Sequence, residues 1–135
     1  MRDKIFLDSN VVIYSLGRDE VKKKISVDLL KNYPTISAQV VNEVVNVSLK
    51  KLKMSKNEAF EIGKTLIRSC EVVPVNDRIV LNGFEISERY HLSFWDSLII
   101  SAALENDCSI IYTEDLQHNQ LIEDRLLIRD PYKEK

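Results

Sequence analysis

Ser109-Ile110-Ile111-Tyr112-Thr113-Glu114-Asp115 sets an unbroken apolar run between a serine and a pair of acids. β-Branched and aromatic residues without polar alternation read as a strand buried on both faces, the kind found inside parallel sheets. The segments on either side agree. Upstream, Ser93 opens a strongly apolar helix carrying Trp95, Leu98, Ile99, Ala102 and Ala103. Downstream, Leu126-Leu127-Ile128 reads as a last strand.

The same alternation extends back to the N-terminus. Lys4-Ile5-Phe6-Leu7 is a short strand that stops at Asp8-Ser9-Asn10, residues that favour caps and turns. A short helix then runs from Val11 to Leu16, with Gly17 as its stop. Val21, Ile25, Leu29 and Leu30 give a second helix its apolar stripe, and Pro34 ends it before the brief strand Thr35-Ile36. Ser37 caps a helix with Val41, Val44, Val45 and Leu52 on one side. Ser55 and Glu58 form a capping-box pattern ahead of Ala59, Ile62, Leu66, Ile67 and Cys70. Val72-Val73-Pro74-Val75 is a strand whose proline argues for an edge or a strand end. Asn76 or Asp77 then opens a helix through Ile79, Val80 and Phe84. Strands alternating with helices imply an α/β fold, a three-layer α/β/α sandwich around a mainly parallel sheet.

The chain has 135 residues, the size of one ordinary domain. We expect a single domain over residues 1–131 and a frayed tail over 132–135. Hydrophobic residues make up 44% and charged residues 30%, a globular composition. The 19 Lys+Arg against 21 Asp+Glu give a net charge of −2, so any nucleic-acid surface must be local. Three scattered glycines cannot build a phosphate-binding loop. Two histidines and two cysteines, without C-x-x-C or H-E-x-x-H, leave too few soft ligands for zinc. Cys70 and Cys108 read as buried free thiols of a reducing compartment. No signal segment or run of ~20 apolar residues is present, so we expect a cytoplasmic protein with no membrane partner.

Four carboxylates stand apart from the solvated majority. Asp8 follows the first strand, Glu43 interrupts an apolar helical segment, Asp96 opens the most hydrophobic helix, and Asp115 follows the best strand. In a parallel sheet the carboxyl ends of strands share one edge, where ligands bind. Each acid has a plainer role available. Asp8 can begin a turn, Ser93 and Asp96 can form a capping box, Glu43 can lean outward, and Asp115 can favour a helix start. Independent caps have no reason to converge on one edge, whereas a site for a hard cation requires it. Two like charges about 4 Å apart repel by roughly 1 kcal/mol in water and about 4 kcal/mol at an effective dielectric of 20. Mg²⁺ or Mn²⁺ offsets such repulsion and activates water for phosphoryl displacement.

Asp8-Ser9-Asn10-Val11, Ser37-Ala38-Gln39-Val40-Val41-Asn42-Glu43, Trp95-Asp96-Ser97-Leu98-Ile99 and Tyr112-Thr113-Glu114-Asp115 together resemble PIN-domain ribonucleases, most of all the stand-alone toxins of VapBC-type toxin–antitoxin pairs. The likeness runs from about Ile5 to Pro131. It implies an acidic quartet of Asp8, Glu43, Asp96 and Asp115 around Mg²⁺ or Mn²⁺, with polar support from Asn10 and Thr113. It also implies RNA cleavage, a small antitoxin partner and a homodimer. Asn119 stands where many relatives have Gly, and Asn tolerates the same left-handed conformation.

Other features are weaker. His91 and His118 read as surface or loop residues, and no G-x-S-x-G elbow supports a serine hydrolase. Trp95 reads as core, with a base-stacking platform as the alternative. Lys22-Lys23-Lys24 and Lys50-Lys51 with Lys53 read as solvated faces or, with Arg89, as phosphate contacts. Two other functions stay open: a catalytically inactive RNA- or protein-binding module on the same fold, and an acidic-pocket phosphatase or phosphoacceptor. The latter lacks the D-x-D pattern or adjacent acids after the first strand.

Overall fold

Ile110–Tyr112 forms β4, and its all-apolar character follows from its place between two parallel neighbours. The computed structural model describes residues 3–133. The element order is β1 (Ile5–Leu7), α1 (Ser9–Tyr14), α2 (Glu20–Leu30), β2 (Thr35–Ser37), α3 (Ala38–Lys50), α4 (Lys56–Ser69), β3 (Glu71–Val73), α5 (Asp77–Tyr90), α6 (Phe94–Glu105), β4, β5 (Leu121–Ile122) and β6 (Leu126–Arg129). The sheet order is β3-β2-β1-β4-β6-β5. Phe6 is paired with Ile111, and Ile111 with Ile128, all three fully buried. Every pairing is parallel except β5 with β6, an antiparallel ribbon that its two residues did not announce in the sequence. Helices flank this sheet in an α/β sandwich, as the alternation implied.

The helix starts follow the caps. Asp8, Asp19, Ser37, Ser55, Asn76 and Ser93 each accept a backbone N–H at a helix N-terminus. Ser55 and Glu58 make the full reciprocal box. Residues 97–104 of α6 are all buried, as expected of a helix apolar all round. Pro74 directly follows β3, which lies at a sheet edge.

Several expectations need correction. The first helix ends at Tyr14 with Ser15 as its cap, and no glycine among the described residues takes a positive φ. On α2, Leu29 and Leu30 pack against the core as expected, but the fully buried residue is Ser26 and Val21 is 71% exposed. Ser26 is met by Tyr132, whose hydroxyl lies 2.7 Å from its own and whose ring packs edge-on against Tyr14. Tyr132 is therefore docked, not frayed, and Lys133 donates its N–H to the Asp130 carbonyl; the rest of the expected tail, residues 134–135, lies outside the described residues. Leu52, Ile67 and Phe84 are exposed rather than core. Cys70 and Cys108 are buried free thiols, and burial pushes both up to about 11.

Candidate active site

The centre is built where β1 and β4 end side by side. The Asp8 N–H donates to the Tyr112 carbonyl at 3.0 Å, continuing the β1–β4 pairing by one residue. The chain then turns into α1, with Asp8 as its N-cap and the Ser9 N–H on Asp8 Oδ1 at 2.7 Å. Thr113, the residue after β4, is fully buried and donates its hydroxyl to Asp8 Oδ2 at 2.9 Å. The same hydroxyl oxygen accepts the Asp115 N–H at 3.2 Å and the Asn10 Nδ2 at 3.1 Å. Both its donor and acceptor capacity are used.

Asn10 joins the two strand ends. Its Oδ1 accepts the Glu114 N–H at 3.2 Å, which fixes the orientation of the amide. Its Nδ2 then faces Asp115 Oδ2 at 3.0 Å and Asp8 Oδ2 at 3.4 Å. A neutral donor between two carboxylates softens their repulsion without cancelling it. Asp8 is only 5% exposed, and burial pushes its carboxyl up to about 6. The Thr113 and Ser9 hydrogen bonds oppose that rise, while the charges of Glu43 and Asp115 add to it. Glu43, on α3, is thus near enough for its charge to act on Asp8.

Asp96 behaves differently. It lies in the first turn of α6, where its N–H donates to Ser93 Oγ at 3.2 Å. The return bond that completes the box at Ser55 is not made here, so the capping role explains Ser93 rather than the Asp96 carboxylate. The helix-start role falls for Asp115, because β5 is the element that follows β4. Asn10 and Thr113 thus tie Asp8 and Asp115 to one another, and the charges of Glu43 and Asp115 act on Asp8.

Among the described residues, no three His, Cys, Asp or Glu side chains are drawn close enough to hold a metal ion by themselves. The donor set still fits a hard cation, being all oxygen, with one carboxylate whose charge is opposed by burial. Mg²⁺ keeps several waters and needs only one or two carboxylates.

A second cluster beside this one had no signal in the sequence. Glu114 turns away from Asp115 and accepts from Lys22 Nζ and, at 2.7 Å, from the Tyr14 hydroxyl. Lys22 Nζ also lies 4.5 Å from the Tyr14 ring centre and 5.1 Å from that of Tyr132. Lys22 is thus no free phosphate contact, and Arg89 is likewise engaged by Glu123. His118 Nδ1 accepts the Asp130 N–H, and Asn119 takes the left-handed conformation expected of it, at φ 71°. Trp95 is 64% exposed, against the expectation of a core residue. It lines an open groove with Gln39, Asn42, Glu43 and Asn46 of α3.

The sequence matches the PIN domain family model over residues 5–123. No curated protein sequence matches it. Its structure is similar to VapBC-1 from nontypeable Haemophilus influenzae, with a TM-score of 0.70 at 19% identity, over 96% of this chain and 98% of that one. A toxin–antitoxin complex from Klebsiella pneumoniae gives 0.69 at 18%, over 95% and 98%. Mycobacterium tuberculosis VapC20, a Sarcin-Ricin loop cleaving toxin, gives 0.67 at 14%, over 82% and 91%.

Proposed function

The chain belongs to the PIN domain family, and from that premise we propose that it is a metal-dependent endoribonuclease, the VapC-type toxin of a type II toxin–antitoxin pair. The observation that carries this reading is the buried Asp8 carboxylate at the joined ends of β1 and β4, with Asp115 and Glu43 in its field. In this reading Asp8, Asp96 and Asp115 hold Mg²⁺ or Mn²⁺ directly or through water, and Glu43 completes the set or orients the attacking water. When bound, such an ion supplies Lewis acidity and a nucleophilic water at neutral pH. The chain's own contribution is positional. Thr113 and Asn10 hold Asp8 and Asp115 in fixed orientations, and the Asn10–Glu114 backbone bond locks the loop after β4.

The substrate in this reading is RNA, and the partners are a small antitoxin that covers the site and a second copy of the chain. The buried thiols of Cys70 and Cys108 support a cytoplasmic setting. No helix among the described residues is long and apolar enough to cross a membrane.

Asp8→Asn, Asp96→Asn and Asp115→Asn each keep shape while removing a charge, so each is expected to abolish cleavage and leave the fold intact. Hydrolysis that does not use the neighbouring 2′-hydroxyl leaves 5′-phosphate and 3′-hydroxyl ends, which end-labelling detects. A 2′,3′-cyclic phosphate would overturn the reading. Full cleavage by Asp96→Asn would remove that residue from the site. RNA binding without cleavage in Mg²⁺ or Mn²⁺ would favour the non-catalytic module.

A further inference from the structure

The groove beside the acidic centre has a composition that the cleavage chemistry does not explain. Gln39, Asn42, Glu43 and Asn46 recur at helical spacing on one face of α3 and form one wall. Val75, Leu98 and the exposed indole of Trp95 complete it, around a volume of about 700 Å³. Trp95 is backed by Phe94 at 5.5 Å between ring centres, and Phe94 is stacked on Phe84 at the same distance. Gln39 Nε2 is buried and has no hydrogen-bond partner among the described residues. A buried unmet donor costs roughly 1–3 kcal/mol unless a ligand satisfies it. Among the described residues no lysine or arginine lines the groove, so it is poorly suited to a sugar–phosphate backbone.

An aromatic face opposite neutral carboxamides suits a nucleobase, which presents a flat π-surface for stacking and an edge of donors and acceptors. An apolar protein interface would instead bury three carboxamides that each need pairing. Glu43 lines the groove and its charge acts on Asp8, so one residue is common to the groove and the acidic centre. We propose that it is a nucleobase subsite, in which a base flanking the cleaved bond of single-stranded RNA stacks on Trp95 and meets the carboxamides of Gln39, Asn42 and Asn46 along its edge. The inference rests on the ribonuclease reading and adds to it how substrate is selected.

Trp95 is the only tryptophan in the chain, so its emission reports on this groove alone. The full-length Asp115→Asn protein, which is expected not to cut, is titrated in Mg²⁺ with 12-nucleotide rA, rU and an abasic strand of equal length. Binding is followed separately by anisotropy of a 5′ label. We expect base-containing strands to quench Trp95 and the abasic strand, with the same phosphates, to leave it nearly unchanged. Trp95→Ala should weaken binding by about tenfold or more, with Trp95→Phe recovering most of it. In an otherwise wild-type chain, Trp95→Ala should raise KM more than it lowers kcat. Quenching by the abasic strand equal to that by rA would overturn the subsite, as would RNA binding that leaves the emission unmoved while cleavage persists. Emission that shifts with protein concentration and ignores RNA would assign the groove to a second copy. RNA that the wild type neither binds nor cuts would remove the ribonuclease reading as well.

Discussion

Asp8 is held in a place where its charge is unwelcome, and that has a measurable sign. Its carboxyl is raised from 3.8 to about 6 by burial first, then by Glu43 and Asp115. Between those values the folded chain binds a proton that the unfolded chain has released. The contribution of Asp8 to stability is therefore full below about pH 4 and is lost as the pH rises through about 6, by roughly 3 kcal/mol at about 1.4 kcal/mol per pKa unit. Denaturant melts in chelator across pH 4–7 should show this slope, and Asp8→Asn should flatten it. At pH 7 that variant should be more stable by about 1 kcal/mol, after about 1–2 kcal/mol is lost with the Thr113 and Ser9 hydrogen bonds. A steeper slope in the variant would contradict the assignment. Asn10 offers the converse test. Asn10→Asp replaces the donor facing Asp115 and Asp8 with a third carboxylate, so it should abolish cleavage and cost about 1–3 kcal/mol in chelator. Wild-type cleavage by Asn10→Asp would show that the amide does not position the acids. Asp8 and Asp115 were legible as candidates because strand ends can be read from apolar runs. The pairing of Glu114 with Lys22 was not, since ninety-two positions separate the two residues and neither differs from its neighbours in type.

Helix starts were legible for the same local reason. A cap acts within three residues of itself, so Ser37, Ser55, Asn76 and Ser93 could be read one by one. Which side of a helix faces inward depends on what arrives from far along the chain. Ser26 of α2 meets Tyr132 from far along the chain, and Trp95 of α6 lines a groove walled by α3. Left-handed turns were hidden too, because Tyr33, Lys53, His91 and Asp107 adopt positive φ without being glycine. Packing between α3 and α4 can be tested at Gly63. A Cβ there would meet Val45 Cγ2 at 3.0 Å. Alanine gains about 0.5–1 kcal/mol in a helix interior, but overpacking costs about 1–3 kcal/mol. Gly63→Ala should therefore lose about 1 kcal/mol in urea unfolding, and adding Val45→Ala should recover part of that loss through a favourable coupling. A higher midpoint for Gly63→Ala alone would mean that α3 and α4 are more loosely packed than this contact implies.

Across the whole molecule, the site and the stability of the fold are linked. Asp115→Asn relieves repulsion, so in chelator it should be at least as stable as the wild type. Millimolar Mg²⁺ or Mn²⁺ should then stabilise the wild type by about 2.7 kcal/mol at a hundredfold excess over Kd, and the variant by less. Thermal melts of both proteins measure all four corners of this cycle. Equal metal responses would take Asp115 out of the donor set. The two margins of the sheet carry a different consequence. On one side β3 has three residues and runs directly into Pro74, which has no N–H to offer. On the other, β5 has two residues and gives way to Glu123 and Asp124, both at positive φ. Neither margin presents a long row of unpaired amides, so an incoming chain finds no template along which to continue the sheet. Adding a strand from another polypeptide is thereby disfavoured at both margins. That guards a small, strand-containing protein against runaway fibre growth even when it is abundant.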